Sequence, residues 1–125
     1  MGQKLLWLAV AGAVGTLSRY ALAGFVQRLA GGVFPWGTLA VNGLGCFVFG
    51  VIWAMAGERL ALGPELRTIV LVGFLGEFTT FSALISESGL LAMDSEWLWA
   101  TANLLGQNVL GIVTFFLGLL LGRTI

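Results

Sequence analysis

Four long apolar stretches alternate with three short polar connections along the chain. The stretches run from about Leu5 to Gln27, Trp36 to Gly57, Leu66 to Met93 and Trp97 to Gly122. A membrane-spanning helix takes about 20 mostly apolar residues, so each stretch is long enough to cross a bilayer. Backbone polar groups in lipid must be paired within their own segment, which makes helix the default reading of all four. The run after Lys4 continues past Arg19 without a persuasive cleavage site, so it reads as a span rather than a signal peptide. The connections are residues Ala30 to Pro35, Glu58 to Glu65 and Asp94-Ser95-Glu96. Pro35 suits the first turn of the second helix, Gly63-Pro64 is a turn dipeptide, and Asp94 or Ser95 is placed to cap the fourth helix. Trp7, Trp36, Trp97 and Trp99 fall near predicted ends, where aromatic belts form.

Composition sharpens this pattern. The 125 residues are 58% hydrophobic and only 10% charged, with a mean hydropathy of +0.99. Soluble domains carry about 25% charged residues, so lipid is the solvent for most of this surface. Residues 1–125 read as one unit, with no room for a soluble domain. Six basic and six acidic residues cancel, which excludes a basic face for nucleic acid. One cysteine, Cys46, gives no intrachain disulfide and reads as a packing residue. The chain has no histidine, the commonest general base and metal ligand. No nucleophile–base pair is visible, so an enzyme is not expected.

An even number of spans puts both termini on one side. That side carries Lys4, Arg59, Arg67 and Arg123 against Arg28 on the other, so cytoplasmic termini are expected. Among nineteen glycines, Gly12, Gly15, Gly43, Gly45 and Gly50 put small residues on helix faces. Such faces let membrane helices approach closely.

Polar residues inside spans are costly and usually face a cavity or a partner. Here they are Arg19, Asn42, Glu77, Thr79, Thr80, Ser82, Ser86, Glu87, Asn103, Gln107 and Asn108. Arg19 lies about 14 residues into its span, roughly 20 Å along the axis. It either snorkels to the far interface or acts as a fixed charge that attracts an anion or pairs with a carboxylate. The run from Gly73 to Ser82 combines two glycines, a charge and two threonines, which weakens a continuous helix. A break there frees carbonyls and N–H groups at membrane depth, tolerated only where backbone lines a cavity, is buried in protein or binds an ion. An unbroken packing helix is the other reading. Phe81 either packs or offers its positive ring edge to an anion. Asn42, Asn103, Gln107 and Asn108 can donate hydrogen bonds to an ion or to neighbouring helices. Asn103 and Gln107, four apart, share a face.

Three blocks in order carry a resemblance: Gly12-x-x-Gly15-x-x-x-Arg19-Tyr20, then Pro35-Trp36-Gly37-Thr38-Leu39-x-Val41-Asn42-x-x-Gly45, then Gly73-Phe74-x-Gly76-x-x-Thr79-Thr80-Phe81-Ser82. With them the chain resembles the CrcB/Fluc fluoride channels over its whole length. The resemblance implies an all-α membrane protein of four transmembrane helices per subunit. It further implies a third helix broken mid-membrane, an antiparallel dual-topology dimer with two fluoride pores, and residence in the plasma membrane. It implies that carbonyls of Gly76 and Thr79 hold a structural sodium ion on the dimer axis. Asn42 would line a pore and donate to fluoride, and Phe81 would turn its ring edge to the ion. Thr80, Ser82 and Glu87 would belong to polar surfaces near the pore, and Arg19 would make the vestibule positive.

Three positions depart from the family pattern. Glu77 stands where a second glycine is usual, Leu84 where a second phenylalanine is usual, and Leu104 where a tyrosine is usual. Some members work as paired paralogues, so the partner is either a second copy or a paralogous subunit, and the biased charges suit such a pair. The resulting expectation is passive fluoride export. The competing reading is a proton-coupled small multidrug exporter, in which Glu77 or Glu87 would exchange protons for cations.

Overall fold

A computed structural model describes residues 2–56 and 62–125. Among them the chain is all helix, with four stretches long and apolar enough to cross a membrane: Gly2–Ala30, Trp36–Met55, Pro64–Met93 and Trp97–Thr124. Helix α1 is Gly2–Ala30 and α2 is Trp36–Met55. The third stretch is composite: α3 (Pro64–Thr68), a π-helical segment (Ile69–Leu75), α4 (Gly76–Phe78) and α5 (Phe81–Met93). Helix α6 is Trp97–Thr124.

The expected spans lie within a few residues of these bounds. Gly57, Glu58 and Arg59 fall outside the described residues, and with them the end expected for the second span and one of the charges used for orientation. Two expected end signals are corrected. Pro35 stands just before α2 rather than in its first turn. Neither Asp94 nor Ser95 caps α6; that position belongs to Glu96, with no side-chain cap. Ser95 instead takes a positive φ of 62°, and the N–H groups of Asp94, Ser95 and Glu96 bond to carbonyls of Leu90, Ala92 and Leu91. These residues finish α5 instead of starting α6.

Packing follows the small residues. Helix α2 lies chiefly against α6, α1 against the π segment and α4, and α5 against α6. At the α2–α6 crossing a Cβ on Gly118 would stand 3.0 Å from the carbonyl carbon of Phe47 and 3.1 Å from the nitrogen of Val51. Only glycine allows that backbone-to-backbone approach, the close packing that membrane helices rely on in place of a hydrophobic driving force. The buried apolar core is small: Val41, Leu71, Leu75 and Phe78, flanked by Leu22, Val48, Phe49 and Phe74. Most large apolar side chains, the tryptophans Trp7, Trp36, Trp53, Trp97 and Trp99 included, are exposed, the arrangement of a molecule whose outer solvent is lipid.

Candidate functional site

Helix α4 ends because two threonines turn extended. Thr79 has φ −90° and ψ 160°, and Thr80 has φ −149° and ψ 118°. Backbone groups released from a helix must find partners, and here side chains supply them. The N–H of Thr80 donates to Asn42 Oδ1 at 2.7 Å, and Asn42 Nδ2 donates back to the carbonyl of Thr80 at 3.0 Å. Arg19 Nη1 reaches the carbonyl of Thr79 at 3.5 Å. Thr80 Oγ1 accepts the N–H of Ala83 and so caps α5; it also lies 3.3 Å from Ser82 Oγ. Across from this pair a Cβ on Gly45 would collide with the Thr79 methyl, so α2 meets the extended segment only because residue 45 is bare.

The eight residues singled out by sequence fall around three clefts that share walls. Asn42, Gly76, Thr79, Thr80 and Phe81 line one of about 530 Å³, together with Leu84, Gln107, Asn108 and Phe115. Arg19, Thr80 and Ser82 line a second of about 640 Å³ with Thr16, Thr38 and Ser86. Glu87 lines a third of about 330 Å³ with Gln27 and Thr38. Thr80 borders the first and second, Thr38 the second and third. Phe81 is 71% exposed, its ring turned outward from the bundle.

Among the described residues Arg19 has a carbonyl, that of Thr79, as its partner rather than a carboxylate. Glu87 Oε1 accepts from Thr38 Oγ1 at 2.5 Å, while its buried Oε2 has no partner among the described residues. Of the amides on α6, Gln107 and Asn103 do share a face, with Gln107 Nε2 donating to Asn103 Oδ1 at 2.7 Å. Asn108 turns back onto its own helix, donating to the Leu104 carbonyl. Glu77 is exposed, its Cγ 3.4 Å from where a Cβ on Gly12 would stand.

Sequence reasoning missed Thr38 and Gln27. Thr38 stands four residues before Asn42, hence on the same helical face, and that spacing was the available signal. Gln27 has none: its Oε1 accepts the N–H of Gly37 and its Nε2 donates to the Phe34 carbonyl, contacts that only the α1–α2 turn creates.

The sequence model of the CrcB-like protein family, described as Camphor Resistance (CrcB), matches residues 6–119. This chain belongs to that family. Among its relatives, a protein of Nitrosococcus oceani named fluoride-specific ion channel FluC is 59% identical over 125 residues, the whole of both chains. Proteins of the same name from Desulforapulum autotrophicum and Solidesulfovibrio magneticus are each 51% identical, again over the whole of both chains. The CrcB-like relatives are named as ion channels and not as enzymes. With four apolar helices of spanning length, this CrcB-like chain is a multi-pass membrane protein, which in bacteria means the plasma membrane.

Proposed function

We propose that this chain is a subunit of a fluoride-selective channel through which fluoride leaves the cytoplasm passively. The observation that carries the reading is the extended pair Thr79–Thr80, clamped by Asn42 where two clefts share a wall. Relatives of matching length bearing the fluoride-channel name support it. The extended pair is then a break of the third span at membrane depth, allowed because side chains satisfy the backbone it releases.

Fluoride is small and strongly hydrated, so a pore must replace water with donors that do not trap the ion. The Thr80 and Ser82 hydroxyls and the positive edge of Phe81 are donors of that strength, while Asn42 and Thr38, whose hydrogens are engaged by protein acceptors, hold the cleft walls in place. Arg19 raises the positive potential of the cleft it shares with Ser82. Glu87 holds Thr38 by its hydroxyl, which orients a group on the shared wall of two clefts. A membrane potential supplies about 2.3 kcal/mol per charge per 100 mV, outward for an anion when the inside is negative.

The subunit works as an antiparallel dimer, either with its own copy or with a paralogue. Support comes from the outward-facing ring of Phe81 and from α1, whose sole buried residue is Gly15. The excess of Lys4, Arg59, Arg67 and Arg123 over Arg28 favours a fixed orientation and hence a paralogous partner. A sodium ion on the dimer axis suits the carbonyls of Gly76 and Thr79. The Thr80 N–H bonds to Asn42 instead of continuing the helical ladder onto Gly76, and Gly76 is exposed, a Cβ there meeting the Leu71 carbonyl oxygen at 3.9 Å. The long bond from Arg19 uses one of the two lone pairs on the Thr79 carbonyl. When bound, the ion supplies charge that ties two subunits at their broken helices.

Fluoride efflux from proteoliposomes holding this chain alone tests the reading. Wild type is expected to release fluoride and not chloride. Asn42→Asp puts a carboxylate at the clamp, and like-charge contact costs several kcal/mol, so flux falls by about 100-fold or more. Phe81→Ile removes the ring edge and also slows efflux. Silence of wild type alone, with efflux restored by a co-expressed paralogue, identifies the heterodimer; silence of both ends the proposal.

A further inference from the structure

Asn42 does not act alone. Both hydrogens of its Nδ2 are engaged, one with the Thr80 carbonyl at 3.0 Å and one with Gln107 Oε1 at 2.7 Å. Gln107 donates to Asn103 at 2.7 Å, Asn103 Nδ2 donates to Ser88 Oγ at 2.9 Å, and Ser88 donates to the Leu84 carbonyl at 2.7 Å. Gln107, Asn103 and Ser88 are all buried, with Asn103 entirely so. The chain of bonds thus leaves the cleft and runs inward through α6 to α5.

Its direction is fixed from both ends. At one end the Thr80 N–H can only donate, so Asn42 must turn its oxygen there. At the other end Ser88 spends its proton on the Leu84 carbonyl and so receives from Asn103. Asn103 then offers its oxygen to Gln107, and Gln107 offers its oxygen to Asn42. While Ser88 keeps that bond, every amide has one orientation. Breaking the middle would leave Asn42 free to flip, and a flipped amide presents N–H to N–H at Thr80. Each unmet group in a buried network costs more than one in water.

We infer that Gln107, backed by Asn103 and Ser88, is a positioning residue that fixes the orientation of the Asn42 amide and thereby the extended backbone at Thr80. Its link to conduction rests on the fluoride-channel reading; its effect on Thr80 does not. The element Gln107 must present to Asn42 is an acceptor. Gln107→Met keeps length and removes the acceptor, whereas Gln107→Glu keeps it, since Asn103 and Ser88 can reverse to donate toward the new carboxylate.

The test is hydrogen exchange of the Thr80 amide in full-length protein in liposomes, read by NMR beside fluoride efflux. Gln107→Met is expected to speed Thr80 exchange by about tenfold or more, the loss of one buried hydrogen bond, with the Gly118 amide unchanged. Gln107→Glu is expected to keep Thr80 within about threefold of wild type. Should Gln107→Met not fold, Gln107→Asn, one methylene too short to reach Asn42, gives the same comparison. Unchanged Thr80 exchange in the Met or Asn variant, or equal acceleration by Glu, overturns the inference. If wild type passes no fluoride yet Thr80 follows this pattern, the channel reading falls and the positioning role stands. If wild type conducts and Gln107→Met conducts within about twofold of it, the link to conduction falls.

Discussion

Where α2 crosses α6, backbone lies on backbone; where α2 meets the end of α4, a side chain lies on backbone. The first contact is made by what residues 50 and 118 lack, the second by what residue 42 carries. Both answer the same constraint, that polar main chain near lipid must be covered. A bare glycine crossing leaves the helical ladder intact and offers an ion nothing. An amide clamp lets the ladder open at two residues and keeps their N–H and carbonyl groups paired at the edge of a cleft. Close packing and an opened backbone are thus assigned to opposite ends of the side-chain scale along one helix, with Asn42 and Gly50 eight residues apart.

This contrast can be broken at either end. The largest effect is expected from Gly118→Ala. The new methyl meets the Phe47 carbonyl and the Val51 nitrogen, main-chain atoms that cannot swing aside. Overpacking of this kind costs about 3 kcal/mol or more, visible as a lowered melting midpoint in detergent. A midpoint within a degree of wild type would show the crossing to be looser than described. Ser88→Ala is expected next. It strips the buried end of the amide chain and leaves Asn103 Nδ2 unmet, a loss of about 1–3 kcal/mol. Here efflux should fall more, in proportion, than for a glycine variant of equal stability; equal falls would erase the distinction between the two regions. The smallest effect belongs to Arg67→Ala. The Arg67 guanidinium sits 3.9 Å over the Trp53 ring, a contact worth about 0.5–1 kcal/mol at such a site. It lies away from both regions, so the midpoint should drop slightly and efflux stay as it was.

Much of this was legible in the residues alone. Runs of apolar residues marked four spans to within a few positions, since transfer into lipid sums along the chain without regard to partners. The scarcity of polar residues inside those runs drew attention to Asn42, Arg19 and the Gly73–Ser82 block, because each is costly in lipid unless it is used. The pairing Asn103 with Gln107 followed from helical spacing. The ends of α2 and α6 were less legible: a Ser or Asp beside a helix is a cap only if its own φ and ψ allow it, and Ser95 at φ 62° does not. Thr38 escaped notice because a threonine hydroxyl in a span ordinarily bonds to its own helix, as Thr114 does here.

The chain's order of residues settled which parts enter lipid and which polar groups must be explained there, as hydropathy belongs to each residue in turn. Only the folded bundle decided how those groups are spent. An amide has a fixed number of hydrogens and lone pairs, and their partners lie 38 and 65 positions away. Nothing local in the chain determines such partners; helix crossings set by bare glycines do.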